Sequence, residues 1–223
     1  LGLKWDKDAV ADLIFGFLLS GAMAASVFFI MLQLGFIEFN GINWNNQMPI
    51  EASHDFIIYM SVMSLGVISI LLLETVFVGY WEELVFRGYV FQNMAHGLGV
   101  TIAVVISCLL YGVIHYANPN ATLLSSSIII LFGFLRLYGY LSTKQLWLSM
   151  GMHIGWNFFQ GPVFGYAASG HTTATVINQE PVAADWLSGG AFGPEGSVVS
   201  LPILAFTFLP MYLWSKRRAA QGA

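Results

Sequence analysis

A polytopic, all-α bundle of transmembrane helices is the fold class that the sequence predicts, on three observations. Of 223 residues, 57% are hydrophobic and only 9% are charged, against roughly 25% charged in a soluble domain, and the mean hydropathy is +0.72. Apolar runs recur at about the 20 residues that a helix needs to cross a bilayer. The charges are also segregated: the two long polar stretches, 38–55 and 167–197, hold Glu38, Glu51, Asp55, Glu180, Asp185 and Glu195 but no Lys or Arg.

In chain order, Lys4, Asp6, Lys7 and Asp8 precede a first crossing over residues 10–37. Residues 38–55, with Asn40-Gly41-Ile42-Asn43-Trp44-Asn45-Asn46-Gln47, are polar and turn-rich and read as a loop. A second crossing is expected from about Phe56 to His96-Gly97, where Gly97 and Gly99 mark a turn, and a third over residues 100–116, ended by Asn118-Pro119-Asn120. The fourth and fifth fall at 122–141 and 144–166, and residues 167–197 are too polar to insert. Residues 198–214 form the last crossing, closed by Lys216, Arg217 and Arg218. Lys4, Lys7, Lys144 and that closing cluster share one side of the six-crossing path, so the positive-inside rule puts both ends in the cytoplasm. Residues 1–223 read as one domain without internal repeats, and a start at Leu1 rather than Met implies N-terminal truncation. No signal peptide is visible.

Several function classes are excluded. A net charge of -4 without a basic patch leaves nothing to meet nucleic-acid phosphates. The single cysteine, Cys108, lies in an apolar run, so no intrachain disulfide forms and a core role outweighs a nucleophilic one.

Against this apolar background Glu82, Glu83 and Arg87 stand out, because membrane anchoring does not require them and ionisable groups there mark function. Glu83 and Arg87, four apart, share a helix face and can neutralise each other. Glu82 is rotated about 100° from Glu83 and is left for chemistry. Two further polar sites interrupt apolar helices: Tyr111 to His115, closing the third, and His153 with Asn157 inside the fifth. Gly151 and Gly155 lie on roughly the opposite face from His153 and Asn157, where a neighbouring helix can approach closely. If the second and third helices fold back about Leu98, Glu82 and His115 lie side by side at nearly equal distances from the turn. A carboxylate beside an imidazole in a dry pocket can activate water, and a second His with an Asn can donate to an oxyanion. Those parts describe amide hydrolysis in an intramembrane active-site cavity. There is no Gly-x-Ser-x-Gly elbow for a covalent route.

At these residues the sequence resembles the CAAX protease and bacteriocin-processing (CPBP) family of intramembrane proteases. Glu82, Glu83 and Arg87 match its Glu-Glu-x-x-x-Arg motif, Tyr111 and His115 its Phe-x-x-x-His motif with Tyr for Phe, and His153 and Asn157 its His-x-x-x-Asn motif. The likeness covers about residues 78–160. It implies a transmembrane protease domain in which Glu82 and His115 activate water, His153 and Asn157 form the oxyanion site, and Glu83 with Arg87 supports Glu82. It implies more crossings than six. It also implies a peptide or lipidated protein substrate, prenylated and CAAX-like or a leader peptide, met in the lipid bilayer. The expected location is a prokaryotic plasma membrane, multi-pass, with a cytoplasmic C-terminus.

Glu82, His115 and His153 could in principle hold Zn²⁺ with one position open for water. No His-Glu-x-x-His spacing presents two ligands from one helix, so glutamate-and-histidine catalysis is preferred over direct zinc catalysis, and no cofactor is assigned beyond that possible divalent metal. Two other readings compete: a non-catalytic peptide binder, such as a bacteriocin immunity factor or scaffold, and a small transporter, which lacks the expected inverted repeats. Arg136 reads as a snorkelling or pairing residue near the cytoplasmic end of the fourth helix. Glu74 could line the same cavity as Glu82, and His54, His96 and His171 read as solvated.

Overall fold

A computed structural model describes residues 1–43, 47–52, 56–61 and 65–220 of the chain. Helix α1 (Lys7–Gln33) begins where the Asp6 carboxylate accepts from the backbone N–H groups of Asp8 and Ala9, satisfying amides that a first turn leaves open. Helix α2 (Leu65–Glu83) runs without a break into a π-helical segment (Leu84–Val90) and then α3 (Phe91–Leu98). Gly99, at a φ of 82°, turns the chain into α4 (Val100–His115). Helix α5 (Leu123–Thr143) opens on a reciprocal cap between Thr122 and Ser125 and stops at left-handed Lys144. Helix α6 (Trp147–Phe158) passes into a second π-helical segment (Phe159–Val163), and after the short α7 (Asp185–Ser188) the chain ends in α8 (Ser200–Ala220).

The molecule is an all-α membrane protein. Helices α1 and α5 are long and apolar enough to cross a bilayer, with hydropathies of 2.3 and 1.5. Ile14, Leu18 and Phe29 on α1, Leu73 and Phe77 on α2, and Phe206 and Leu209 on α8 are exposed on the outside of the bundle, as lipid-facing side chains are.

Helix α6 is the axis of the bundle, buried from Leu148 to Trp156. Its Gly151 and Gly155 lie so close to the Leu13 and Phe17 carbonyls of α1 that an added Cβ would overlap them. On the other flank Gly79 of α2 meets Ile154, and a Cβ there would fall 2.6 Å from Ile154 Cγ1. Small residues on both flanks thus draw α1 and α2 onto α6, which brings the acids of α2 within reach of His153. The ends of α1 and α8 are tied through Arg218, 2.8 Å from Asp8 and 3.1 Å from Asp12, while Trp214 Nε1 donates to Asp12.

Four boundaries differ from the sequence reading. The first helix ends at Gln33, and Ile37–Ile42 is a strand, β1, rather than the end of a crossing. Residues 38–55 are not one loop: β1 pairs antiparallel with β4 (Ile177–Pro181) of the second polar stretch, Ile37 opposite Pro181 and Ile42 opposite Ile177. The second crossing does not start at Phe56, because β3 (Phe56–Ser61) pairs with β2 (Gln47–Ala52) and the helix begins at Leu65. Phe56-Ile57-Ile58-Tyr59 is aromatic and β-branched, which suits a strand as well as it suits an apolar helix. Finally, α8 continues to Ala220, so Lys216, Arg217 and Arg218 lie on the helix rather than beyond it. Trp44, His54 and Asp55 fall outside the described residues.

Candidate functional site

The π-helical segment begins directly after Glu83 and carries Arg87. Its i→i+5 bonds, such as Phe91 N–H to the Phe86 carbonyl, widen the turn, an irregularity concentrated at functional sites. Glu83 and Arg87 still meet, Arg87 Nη1 donating to Glu83 Oε1 at 3.0 Å. Arg87 Nη2 reaches the Gly133 carbonyl of α5 at 3.3 Å.

Glu83 is completely buried and saturated with partners. Besides Arg87 it receives the Ser149 hydroxyl at Oε2 and His153 Nδ1 at Oε1, 2.9 Å away, and Arg136 Nη1 stands 3.6 Å from Oε1. Two guanidiniums neutralise a carboxylate that burial alone would penalise heavily. Glu83 therefore anchors His153 as well as Arg87, a wider role than support of Glu82.

Glu82 differs in kind. Its side chain is 23% exposed, so of the two adjacent acids it is the one a substrate can reach. Its Oε2 accepts from the Tyr111 hydroxyl at 3.0 Å, and Arg136 Nη1 donates to the same hydroxyl at 3.0 Å. The Tyr111 ring lies between the two guanidiniums, 4.5 Å from Arg87 and 5.0 Å from Arg136.

Both imidazoles turn Nε2 toward that same oxygen, His115 at 3.9 Å and His153 at 3.8 Å. Each is oriented from behind. His115 Nδ1 lies 2.7 Å from the Tyr111 carbonyl, which can only accept, so Nδ1 holds the proton. His153 Nδ1 likewise donates to Glu83. In the neutral ring each Nε2 is then a bare lone pair facing Glu82. Gaps near 4 Å suit a small molecule bridging the carboxylate and an imidazole.

The structure thus brings Glu82, Glu83, Arg87, His115 and His153 together. Asn157 stands apart from them, one turn beyond His153, and accepts from Gln160 Nε2 at 3.5 Å. It lines a cavity with Leu71, Glu74, Thr75 and Val78 of α2 and with the 168–173 stretch, including His171. Among the described residues no three His, Cys, Asp or Glu side chains are gathered into a ready metal cluster. The oxygen facing both imidazoles is already engaged by Tyr111. Glu82, His115 and His153, whose facing atoms lie 3.8 and 3.9 Å apart, are the side chains that would hold a divalent metal at this site.

Of the two readings of Arg136, pairing holds and snorkelling does not: it is 3% exposed in the middle of the cluster, 3.6 Å from Glu83 Oε1. The parts played by Ser149 and the Tyr111 hydroxyl are not legible in the sequence. A serine on an apolar helix carries no signal of its own, and the hydroxyl matters only because α4 and α5 set it between Arg136 and Glu82. Glu195, from the polar stretch 167–197, is buried as well, accepting from Trp156 Nε1 at 2.9 Å and from the backbone N–H of Ser169 at 3.0 Å. That stretch is pinned to α6 next to His153.

Residues 64–159 match the family model of Rce1-like type II CAAX prenyl endopeptidases. No curated protein and no solved structure matches the chain. The matched segment is less than half of the chain, yet it holds the Glu82, His115 and His153 motifs and the helices that join them. Residues 64–159 thus carry a likeness to the Rce1-like CAAX prenyl endopeptidases, in line with the family that its three motifs resemble.

Proposed function

We propose that the protein is an intramembrane endopeptidase that cleaves a membrane-associated peptide, prenylated and CAAX-like or a leader peptide, with water activated by Glu82 and the two histidines. The observation that carries this reading is the convergence of His115 Nε2 and His153 Nε2, at 3.9 and 3.8 Å, on the reachable Glu82 carboxylate. A water held there lies between a carboxylate and imidazole lone pairs. Glu82 takes its proton as the oxygen attacks the scissile carbonyl. Asn157, one turn along α6, offers its amide N–H to the oxyanion that develops. His153, held by Glu83 through Nδ1, keeps its Nε2 lone pair on the water and helps to orient it. The proton on Glu82 then passes to the leaving nitrogen as the C–N bond breaks.

The protein is read as a multi-pass component of a prokaryotic plasma membrane with a cytoplasmic C-terminus, on the segregation of Lys and Arg. Glu83, Arg87, Arg136 and Ser149 serve as positioning residues. They hold His153 and the helix ends rigid, which such geometry requires. The test is cleavage of a mixed peptide library, including prenylated CAAX peptides, by protein purified in detergent. Products from wild type that vanish in both Glu82→Gln and His115→Ala support the reading. Products that persist in both sink it.

A further inference from the structure

Glu74 is a carboxylate on the apolar helix α2, and among the described residues it has no hydrogen-bond or ion-pair partner. Its neighbours Leu73 and Phe77 are exposed on the outside of the bundle. It lines a cavity of 180 Å³ whose walls are largely apolar or small, with Leu71, Thr75, Val78, Pro162 and Ala168, and which Asn157 also lines. An unpaired intramembrane acid beside a cavity marks a binding site rather than a packing device.

The cavity is lined by the turns of α2 and α6 next to those that carry the catalytic cluster. On α2, Val78 is one turn from Glu82 and Glu74 about two, so the carboxylate lies about 12 Å from Glu82 along the helix. On α6, Asn157 is one turn from His153. The same faces of both helices that hold the cluster therefore line the cavity, and an extended peptide passing from one to the other covers that distance in about three or four residues at ~3.3 Å each.

We propose that this cavity is a subsite for a basic side chain of the peptide substrate, three or four residues from the scissile bond. The aliphatic stem of a lysine or arginine would lie against Leu71, Val78 and Pro162, with its cation at Glu74. A long side chain with an apolar stem and a charged head suits a cavity of this make-up. Among the described residues no other carboxylate lines the cavity, and His171 is its only other ionisable side chain. The inference rests on the protease reading for the identity of the ligand, but not for the existence of the site.

The test uses apolar peptides that carry one lysine, or norleucine in its place, walked along the sequence on either side of the cleaved bond. With wild-type protein in detergent, lysine at one position within that distance raises kcat/KM about fivefold over norleucine, as a partly desolvated charge pair provides. The advantage disappears in Glu74→Gln and passes to glutamate-bearing peptides in Glu74→Lys, while cleavage of the norleucine peptides is unchanged. The same peptides are titrated by fluorescence anisotropy against Glu82→Gln, with and without Glu74→Gln. If wild type cleaves nothing, the protease reading falls, and a Glu74-dependent preference for lysine in binding still upholds the subsite. Equal affinities for lysine and norleucine peptides, or a preference that survives Glu74→Gln, overturn it.

Discussion

The Tyr111 hydroxyl donates to Glu82 Oε2 at 3.0 Å while Arg136 donates to it. The Phe of the family motif resembled here has no hydroxyl to offer, so this link is a property of the present chain. It fixes the Glu82 carboxylate and connects it, through one hydroxyl, to the Arg136 side of the cluster. Tyr111→Phe keeps the ring between its two guanidiniums and removes only that link. The expected result is a fall in kcat of about tenfold, ~1.4 kcal/mol, with KM nearly unchanged. Steady-state kinetics of the two proteins check it.

Removing one partner of the buried ion cluster has a different signature. Arg87→Ala strips a fully buried Glu83 of its closest cation, 3.0 Å away. It is expected to cost about 3–5 kcal/mol of stability, because the carboxylate keeps only the more distant Arg136 to balance its charge and has no water to turn to. Thermal unfolding in detergent reads this directly. Ser149→Ala, which removes one hydroxyl donor from the same carboxylate, costs about 1–3 kcal/mol.

The approach of α1 to α6 leaves no room at Gly155, where a Cβ would stand 2.5 Å from the Phe17 carbonyl oxygen. Gly155→Ala must push backbone against backbone. A loss of about 1–3 kcal/mol is expected from overpacking, together with reduced activity, since α6 also carries His153 and Asn157. Gly97→Ala, at a glycine with open space around it, is the matched control and leaves both unchanged.

Glu195 ties the polar stretch to α6 through Trp156 and Ser169. Glu195→Ala leaves an indole N–H and a backbone N–H without acceptors, at a cost of about 1–3 kcal/mol. Limited proteolysis is expected to cut residues 167–197 faster in this variant than in wild type.

Much of this arrangement is legible in the sequence, and the reasons for what is not are physical. Glu82 and His115 lie at nearly equal spacing from Leu98, so a simple hairpin sets them side by side, and the structure places them 3.9 Å apart. The i,i+4 spacings of Glu83 with Arg87 and of Gly151 with Gly155 fix faces that the helices keep. The partner of Arg136 and the roles of Ser149 and the Tyr111 hydroxyl escape such reasoning, because they arise where three helices meet and no spacing within one helix encodes that meeting. The strand at Phe56–Ser61 escapes it because four apolar residues fit either secondary structure, and pairing with β2 decides. Glu195 reads as a solvated loop acid until Trp156 and Ser169 fold around it.

The central proposal is that Glu82 activates water and needs no metal to do so. The most direct measurement is cleavage of the peptide library by wild type and by Glu82→Gln, each before and after dialysis against a strong chelator. The prediction is products from wild type in both conditions and none from Glu82→Gln in either. Equal cleavage by Glu82→Gln would contradict the role of the glutamate, and loss of wild-type products on chelation, restored by added zinc, would contradict the metal-free route.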